Sequence, residues 1–321
     1  MKTTFENEHW KGSVGVAGCE ICPRKCRAER RETEGEGFCR MGTLPLVARA
    51  AAHFWEEPCI SGTKGSGTVF FSGCSLGCVF CQNQPISHGA LGEQMTVKQL
   101  SELFKRVEAL GVHNLNLVNP AHFAPAVLEA LALAKPGIPV VWNSSGYDSV
   151  ETVEAAKGLV DIYLPDFKYA AEETALQLAR APKYFETALA AISAMCAQTG
   201  AAVYDERGIM RRGTLVRHLV LPLRIGESKR ILDAVKTGLP EGTPVSLMRQ
   251  YTPMNGVTLP GLDRRLTARE YAQVREHMEK LGLSGYFQRK DAADSAFTPV
   301  FMDEESRWLF PHAEARENII G

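Results

Sequence analysis

Eight of the nine cysteines in this 321-residue sequence fall within the first 81 residues. Three of them, Cys74, Cys78 and Cys81, form a C-x3-C-x2-C triplet inside the run FFSGCSLGCVFCQN. Thiolates at that spacing can wrap one corner of a compact cluster. A cubane [4Fe–4S] cluster takes four cysteine ligands. Three would leave one iron open, and an open coordination position is what makes a metal site catalytic rather than structural. Gly73 and Gly77 offer tight turns at positive φ, which aim backbone N–H groups at the sulfurs. The alternative is a zinc knuckle completed from elsewhere, but zinc sites favour paired C-x2-C elements, which this triplet does not supply.

Four more thiols, Cys19, Cys22, Cys26 and Cys39, stand at x2, x3 and x12 spacings. Four thiolates can close a structural zinc site, and they can equally hold a second Fe–S cluster. Ligand softness and number do not separate the two metals. The lobe is small and has little apolar content, so it needs a staple, which favours zinc. Charges around the site nearly cancel, with Arg24, Lys25, Arg27, Arg30, Arg31 and Arg40 set against Glu20, Glu29, Glu32, Glu34 and Glu36. That balance disfavours a nucleic-acid-binding finger. Cys59 and Cys196 have no partner at motif spacing and read as small buried apolar side chains.

Composition narrows the setting. At 45% hydrophobic and 23% charged, with a net charge of −1, the chain has the makeup of an ordinary globular protein. It is long enough to build a core without disulfides. No run approaches the roughly 18 apolar residues of a membrane span. Residues Met1–Gly12 are polar and lack an apolar signal region, so a cytoplasmic location is expected. In that reducing compartment clustered cysteines serve as metal ligands or catalytic groups. Near-zero charge also disfavours general nucleic-acid binding or a membrane-surface role.

These cysteines need elements to position them. Gly67–Ser72, Val112–Val118, Ile138–Trp142, Val160–Leu164, Leu215–Leu221 and Pro244–Met248 are apolar runs that read as strands, with Tyr286–Gln288 a weak seventh. Helical patterns separate them at Thr96–Leu110, Ala124–Ala134, Asp148–Lys157, Ala171–Arg180, Pro182–Gln198, Ser228–Thr237 and Thr267–Leu281. Thr96 with Gln99, and Thr267 with Glu270, have capping-box spacing, and Asp148 and Glu151 sit where caps are expected. Gly200–Gly213 is a polar insertion suited to a loop or hairpin. This alternation implies right-handed βα units on a parallel sheet, either open or curved into a whole or partial barrel. Residues 1–60 stand outside the rhythm, as a Cys-rich metal-binding lobe. Residues 61–290 would then be the parallel α/β unit and 291–321 a C-terminal extension.

The triplet, its place after the first strand and the Phe80 before its last cysteine resemble the radical S-adenosylmethionine (SAM) superfamily. GTVFFSGCSLGCVFCQN, NLVNPAHF, NSSGY, VDIYLPDFKY, VRHLVLP and VSLMRQYTP resemble one branch of it, over roughly residues 15–290. That branch comprises proteins similar to pyruvate formate-lyase activating enzyme that carry an N-terminal cysteine lobe. The resemblance implies an α/β fold, a partial (β/α)6-type parallel barrel with a small Cys-rich lobe. It implies that Cys74, Cys78 and Cys81 bind three irons of a [4Fe–4S] cluster, with SAM chelating the fourth. Reductive cleavage of SAM would give methionine and a 5′-deoxyadenosyl radical that abstracts hydrogen from a substrate. Phe80 would lie against the adenine.

Asn119, Pro120, Ala121 and His122 stand where relatives carry a Gly-Gly-Glu motif for the SAM amine, which makes Asn119 the candidate partner. Asn143 and Ser145 would reach the ribose, and Asp166 and Lys168, an Asp-x-Lys pair, would act near the carboxylate. Strand C-terminal ends are where parallel α/β sheets place their sites. The bland alternatives stand beside these roles: Asp166 as a helix cap, and His122 as a helix-start residue satisfied by backbone. One of Arg217 and His218 must face a polar interior, because both lie in an apolar strand. Tyr251 and Gln250 are candidates to face substrate. The implied activity is that of an oxidoreductase forming a glycyl radical on a partner enzyme, fed by a donor such as flavodoxin or ferredoxin. Modification of a peptide, RNA or small molecule is an alternative, as is a non-catalytic Fe–S or zinc interaction protein.

Overall fold

A computed structural model of the chain describes residues 18–254, 256–288 and 300–311. The sheet begins earlier than the apolar runs suggest. Strand β1 (Leu46–His53) precedes helix α1 (Pro58–Ser61) and pairs antiparallel with β2 (Ser66–Phe71). Residues 46–53, assigned from sequence to the cysteine lobe, are therefore part of the barrel wall. Their run, LVARAAAH, is weak in β-branched side chains, so its strand character comes from pairing with β2 and from burial rather than from propensity.

After the cysteine loop come α2 (Gln84–Ser87), β3 (Glu93–Gln94), which extends the β1 edge, and α3 (Val97–Ala109). The expected alternation follows. It runs β4 (Leu115–Val118), α4 (Ala124–Ala134), β5 (Val140–Ser144), α5 (Val150–Ala155), β6 (Ile162–Pro165), α6 (Glu172–Ala179) and α7 (Tyr184–Thr199). The polar insertion forms the hairpin β7 (Val203–Tyr204) and β8 (Met210–Thr214), turned by Asp205, whose Oδ1 accepts from the Arg207 and Ile209 N–H groups. β8 continues past Leu215 into β9 (Val216–Leu219), and α8 (Ile225–Gly238), β10 (Val245–Met248), α9 (Ala268–Lys280) and β11 (Gly285–Phe287) complete the series.

The parallel wall runs β2-β4-β5-β6-β8 and resumes as β9-β10-β11, the two parts meeting at an Asp166–Arg217 bridge between β6 and β9. This is the partial (β/α)6-type barrel expected from sequence, with the short β11 as the weak seventh strand. Both predicted capping boxes form: Thr96 and Thr267 each accept from the N3 backbone while Gln99 and Glu270 reach back. The third expected helix start differs. α5 is capped by Ser149, and the buried Asp148 instead accepts from Trp142 Nε1 at 3.2 Å and Ser144 Oγ at 2.5 Å. Ser149 Oγ accepts from the Thr152 N–H, which leaves the Asp148 carboxylate to the buried tryptophan N–H, a donor that needs an acceptor.

Because β1 runs antiparallel, its end at His53 lies beside the start of β2 at Ser66, at the end of the barrel opposite the cysteine loop. Residues 54–61 close that end. Cys59 and Ile60 pack into a core with Val141, Ile162, Leu164, Met210 and Leu215, so the expected buried role of Cys59 holds, as does that of Cys196 on α7. Of the expected C-terminal extension, residues 291–299 and 312–321 lie outside the described residues. Residues 300–311 dock on β1: Met302 donates to the Ala48 carbonyl at 3.0 Å, Arg49 pairs with Asp303, and α10 (Glu304–Leu309) leads to the buried Phe310.

Candidate active site

The cysteine loop leaves β2 at the mouth of the barrel. Gly73 and Gly77 have φ of 78° and 61°. A side chain at Gly73 would place its Cβ 2.3 Å from Met41 Cγ and 3.0 Å from the Cys39 carbonyl, so the lobe's close approach requires glycine there. The turn aims the Leu76 and Gly77 N–H groups at Cys74 Sγ, at 3.3 and 3.4 Å. Tyr169 donates its hydroxyl to Cys78 Sγ at 3.1 Å. Burial pushes the Cys78 thiol up to about 12, against the opposing pull of Lys168. A thiol so buried gives up its proton when a metal takes its place, which is how metal binding couples to such a site.

Three neighbouring sulfurs, N–H donors aimed at one of them and a glycine cradle that leaves no room for Cβ atoms fit a cluster with three cysteine ligands. Among the described residues no three His, Cys, Asp or Glu side chains stand at the spacing of a single bound ion. A four-iron cluster draws its ligands from a wider corner than one ion does.

A cavity of about 240 Å³ opens beside this loop. Cys78, Cys81, Phe80, Asn143, Asp166, Lys168, Arg217, Gln250 and Tyr251 line it, with Glu56 and the exposed Trp55 of the closing segment. Phe80 meets Tyr251 edge to face, centroids 5.7 Å apart, and the Tyr251 hydroxyl is held by the Leu262 carbonyl at 2.6 Å. Of the two strand residues Arg217 and His218, the arginine faces the interior. His218 turns its Nδ1 to the Phe167 carbonyl at 2.7 Å, and burial lowers it to about 4, so it stays neutral.

Asp166 does not cap a helix. It accepts from Arg217 Nε at 2.8 Å and Lys168 Nζ at 2.5 Å. Burial raises its carboxyl, and Arg217 and Lys168 outweigh that and hold it below the usual range. Arg217 also donates to Asn143 Oδ1 at 2.6 Å and Glu56 Oε2 at 3.2 Å, and stands 4.0 Å from Glu57. Asn116 and Asn143 donate to the other Glu56 oxygen at 3.2 and 3.1 Å. Burial pushes both glutamates up, Glu57 to about 7, although Arg217 pulls the other way. For Arg217 itself, burial disfavours the charge, and Asp166, Glu57 and Glu56 more than offset this.

Glu56 and Glu57 were not found from sequence. They belong to EEPCISG, a segment read only for its cysteine, and only the antiparallel β1 carries them to the barrel floor. The one available signal was the argument that one of Arg217 and His218 faces a polar interior, since an arginine buried there needs an anionic partner.

Three expected residues lie outside this cavity's lining: Cys74, Asn119 and Ser145. Asn119, at φ 60°, donates Nδ2 to the Gly73 carbonyl at 2.7 Å, with Oδ1 3.8 Å from Cys74 Sγ. Ser145 offers its carbonyl to the Tyr184 hydroxyl at 2.8 Å. His122 is buried, and backbone satisfies one of its two ring nitrogens, leaving Nδ1 buried without a partner. Its Nε2 meets the Ser72 carbonyl at 2.7 Å, and burial lowers it to about 3.

The lobe packs directly against the cysteine loop. The Arg24 guanidinium lies 3.3 Å over the Phe38 ring and donates to the carbonyls of Ser75, Ala179 and Arg180. The buried Arg30 donates to the carbonyls of Met41, Gly42 and His122. Cys19, Cys22, Cys26 and Cys39 sit together around a small apolar pocket. Burial pushes Cys22 up to about 12, and the other three thiols raise it further.

A parallel α/β barrel with a three-cysteine loop after its first parallel strand is the architecture of the radical SAM enzymes, and the profile of that superfamily matches residues 68–202. An uncharacterised protein of Methanocaldococcus jannaschii is 30% identical over 276 residues, covering 83% of this chain and 75% of the relative. The chain belongs to the radical SAM superfamily, whose members use a [4Fe–4S] cluster and SAM. Solved structures similar in fold include a domain of pyruvate-formate lyase-activating enzyme from Bacteroides vulgatus (13% identity, TM-score 0.39, 52% of this chain, 91% of that one). Streptococcus suis SuiB bound to SAM is another (10% identity, TM-score 0.45, 67% of this chain, 48% of that one). No helix among the described residues is long and apolar enough to cross a membrane.

Proposed function

We propose that the protein is a cytoplasmic radical SAM activase, which abstracts hydrogen from a protein or peptide substrate and forms a glycyl radical on a partner enzyme. One observation carries this reading: Cys78 and Cys81 of the triplet and the Asp166–Lys168 pair, which resemble those of activating enzymes, line one cavity with Phe80. When bound there, the cluster and SAM would supply a 5′-deoxyadenosyl radical. Cys74, Cys78 and Cys81 hold three cluster irons. Phe80, backed by Tyr251, offers an apolar face for the adenine. Asn143 is at hand for the ribose, and Lys168, held by Asp166, presents a cation for the SAM carboxylate. Asn119, beside Cys74, and Ser145, at the end of β5, complete the proposed SAM-binding set. The four lobe thiols would hold a second metal site, zinc or Fe–S, drawing closer together than they stand here to take a single ion, and a flavodoxin or ferredoxin would supply the electron.

The test is anaerobic reconstitution, reduction with dithionite and assay of 5′-deoxyadenosine from SAM, followed by electron paramagnetic resonance for a glycyl radical on a partner polypeptide. Wild-type protein should cleave SAM and Cys78→Ala should not. Full cluster loading without cleavage, with or without cell extract, would refute the enzyme reading. Cleavage without any protein-borne radical would refute the activase reading alone.

A further inference from the structure

Cys78 and Cys81 line the mouth cavity, whereas Cys74 lines a different one. That second cavity is a cleft of about 300 Å³ between the lobe and the cysteine loop. Cys39 of the lobe lines it too, so one thiol of each cysteine set meets the same solvent-facing space. Besides the two thiols, Arg40, Arg180 and His88 surround it against Glu36, all four exposed. Arg40 and Arg180 have no carboxylate within ion-pair distance among the described residues, and Arg180 lies 5.4 Å over the Phe38 ring. In a chain of net charge −1 this is a local cationic excess, not a share of a general one.

We propose that this cleft is the port through which the electron enters, and that an acidic one-electron carrier protein docks on it. The proposal rests on the radical SAM reading above. Substrate and SAM need the mouth, where Cys78 and Cys81 are reached. A donor needs only a short path to the cluster, and Cys74 gives it one from the other side. Donor and substrate then never compete for one opening. Arg40 and Arg180 recognise the carrier's carboxylates and steer its approach, a contribution that salt screens. In the transfer one electron leaves the carrier, for example as an anionic flavin hydroquinone becomes the neutral semiquinone. The same electron takes the cluster from the 2+ to the 1+ state. No bond forms between the proteins and no proton crosses.

The test compares two donors on cluster-loaded protein: photoreduced flavodoxin, which is acidic, and reduced methyl viologen, a small cation. Cluster reduction is followed by stopped-flow absorbance, and the Kd for oxidised flavodoxin by calorimetry. The Arg40→Glu/Arg180→Glu double variant should lose about tenfold or more of the flavodoxin-driven rate at low ionic strength. Its Kd should rise by a similar factor, and the gap should close as salt is added. Viologen-driven reduction and SAM cleavage should be unchanged, and Arg40→Lys/Arg180→Lys should retain most of the flavodoxin rate. An unchanged flavodoxin rate and Kd would overturn the proposal, as would an equal loss with both donors. Failure of the viologen-reduced wild type to cleave SAM would instead overturn the radical SAM reading, so the two failures are distinguishable.

Discussion

Replacing Arg217 with methionine tests whether the barrel floor is a desolvated ionic network. Its side chain is 13% exposed and serves Asp166, Glu56 and Asn143 directly, with Glu57 at 4.0 Å. Three carboxylates face two cations, Arg217 and Lys168, and methionine would fill the space while removing one of the two. Breaking a buried pair by deleting one partner costs about 3–5 kcal/mol, because the remaining charge stays buried. The expected loss of unfolding free energy at pH 8 is therefore about 3–5 kcal/mol.

The loss must depend on pH. Burial raises Glu57 from 4.5 to about 7, so the folded state holds that proton more tightly than the unfolded state does. Its contribution to stability is complete below pH 4.5 and is lost as pH rises toward about 7, a swing of about 3 kcal/mol. Asp166 has the opposite sign: its lowered carboxyl stabilises above its ordinary value of 3.8 and fails only in stronger acid. Without Arg217 the two glutamates bind protons more tightly still, and protonation at pH 5.5 relieves much of the damage. Urea unfolding of the reduced, metal-free protein by tryptophan fluorescence at pH 5.5 and pH 8 measures both values. A loss under about 1 kcal/mol at pH 8, or one as large at pH 5.5, would refute the ionic floor.

Three further outcomes follow from other parts of the molecule. A Cys19→Ser/Cys22→Ser double variant should lose the lobe metal, read by elemental analysis as zinc alone or as about four irons, while the iron held by the triplet is retained. Arg24→Met removes the carbonyl contacts to the cysteine loop and the stacking on Phe38, so about 2–3 kcal/mol of docking should go, read as faster chymotryptic cleavage of the lobe with the barrel intact. Thr267→Ala removes an exposed capping box far from the cysteines, and should cost about 1 kcal/mol in urea unfolding with cluster absorbance unchanged.

The parallel strands were legible because each is a short apolar run between amphipathic helices, and burial on both faces writes itself into composition. The two capping boxes were legible because their partners are three residues apart. β1 was hidden, since LVARAAAH owes its conformation to pairing with a strand that follows it by some distance in the chain. Asp148 looked like a helix cap for the same local reasons that made Thr96 one, and a buried indole N–H claimed it instead.

The sequence by itself determined that Cys74, Cys78 and Cys81 share one loop after the first parallel strand, because their proximity is set by local spacing. It also determined that Arg217 or His218 must meet a polar interior, because an apolar strand cannot bury a bare charge. Only the tertiary structure decided which of the two it was and what it meets. Glu56, Asn143, Asp166 and Arg217 lie up to 161 residues apart and converge only when the barrel closes. It likewise decided that Cys39 and Cys74 share one cleft, and that the closing end of the barrel comes from β1. Local spacing encodes contacts within a loop or a turn of helix. Contacts across a barrel depend on chain closure, which no short stretch of sequence records.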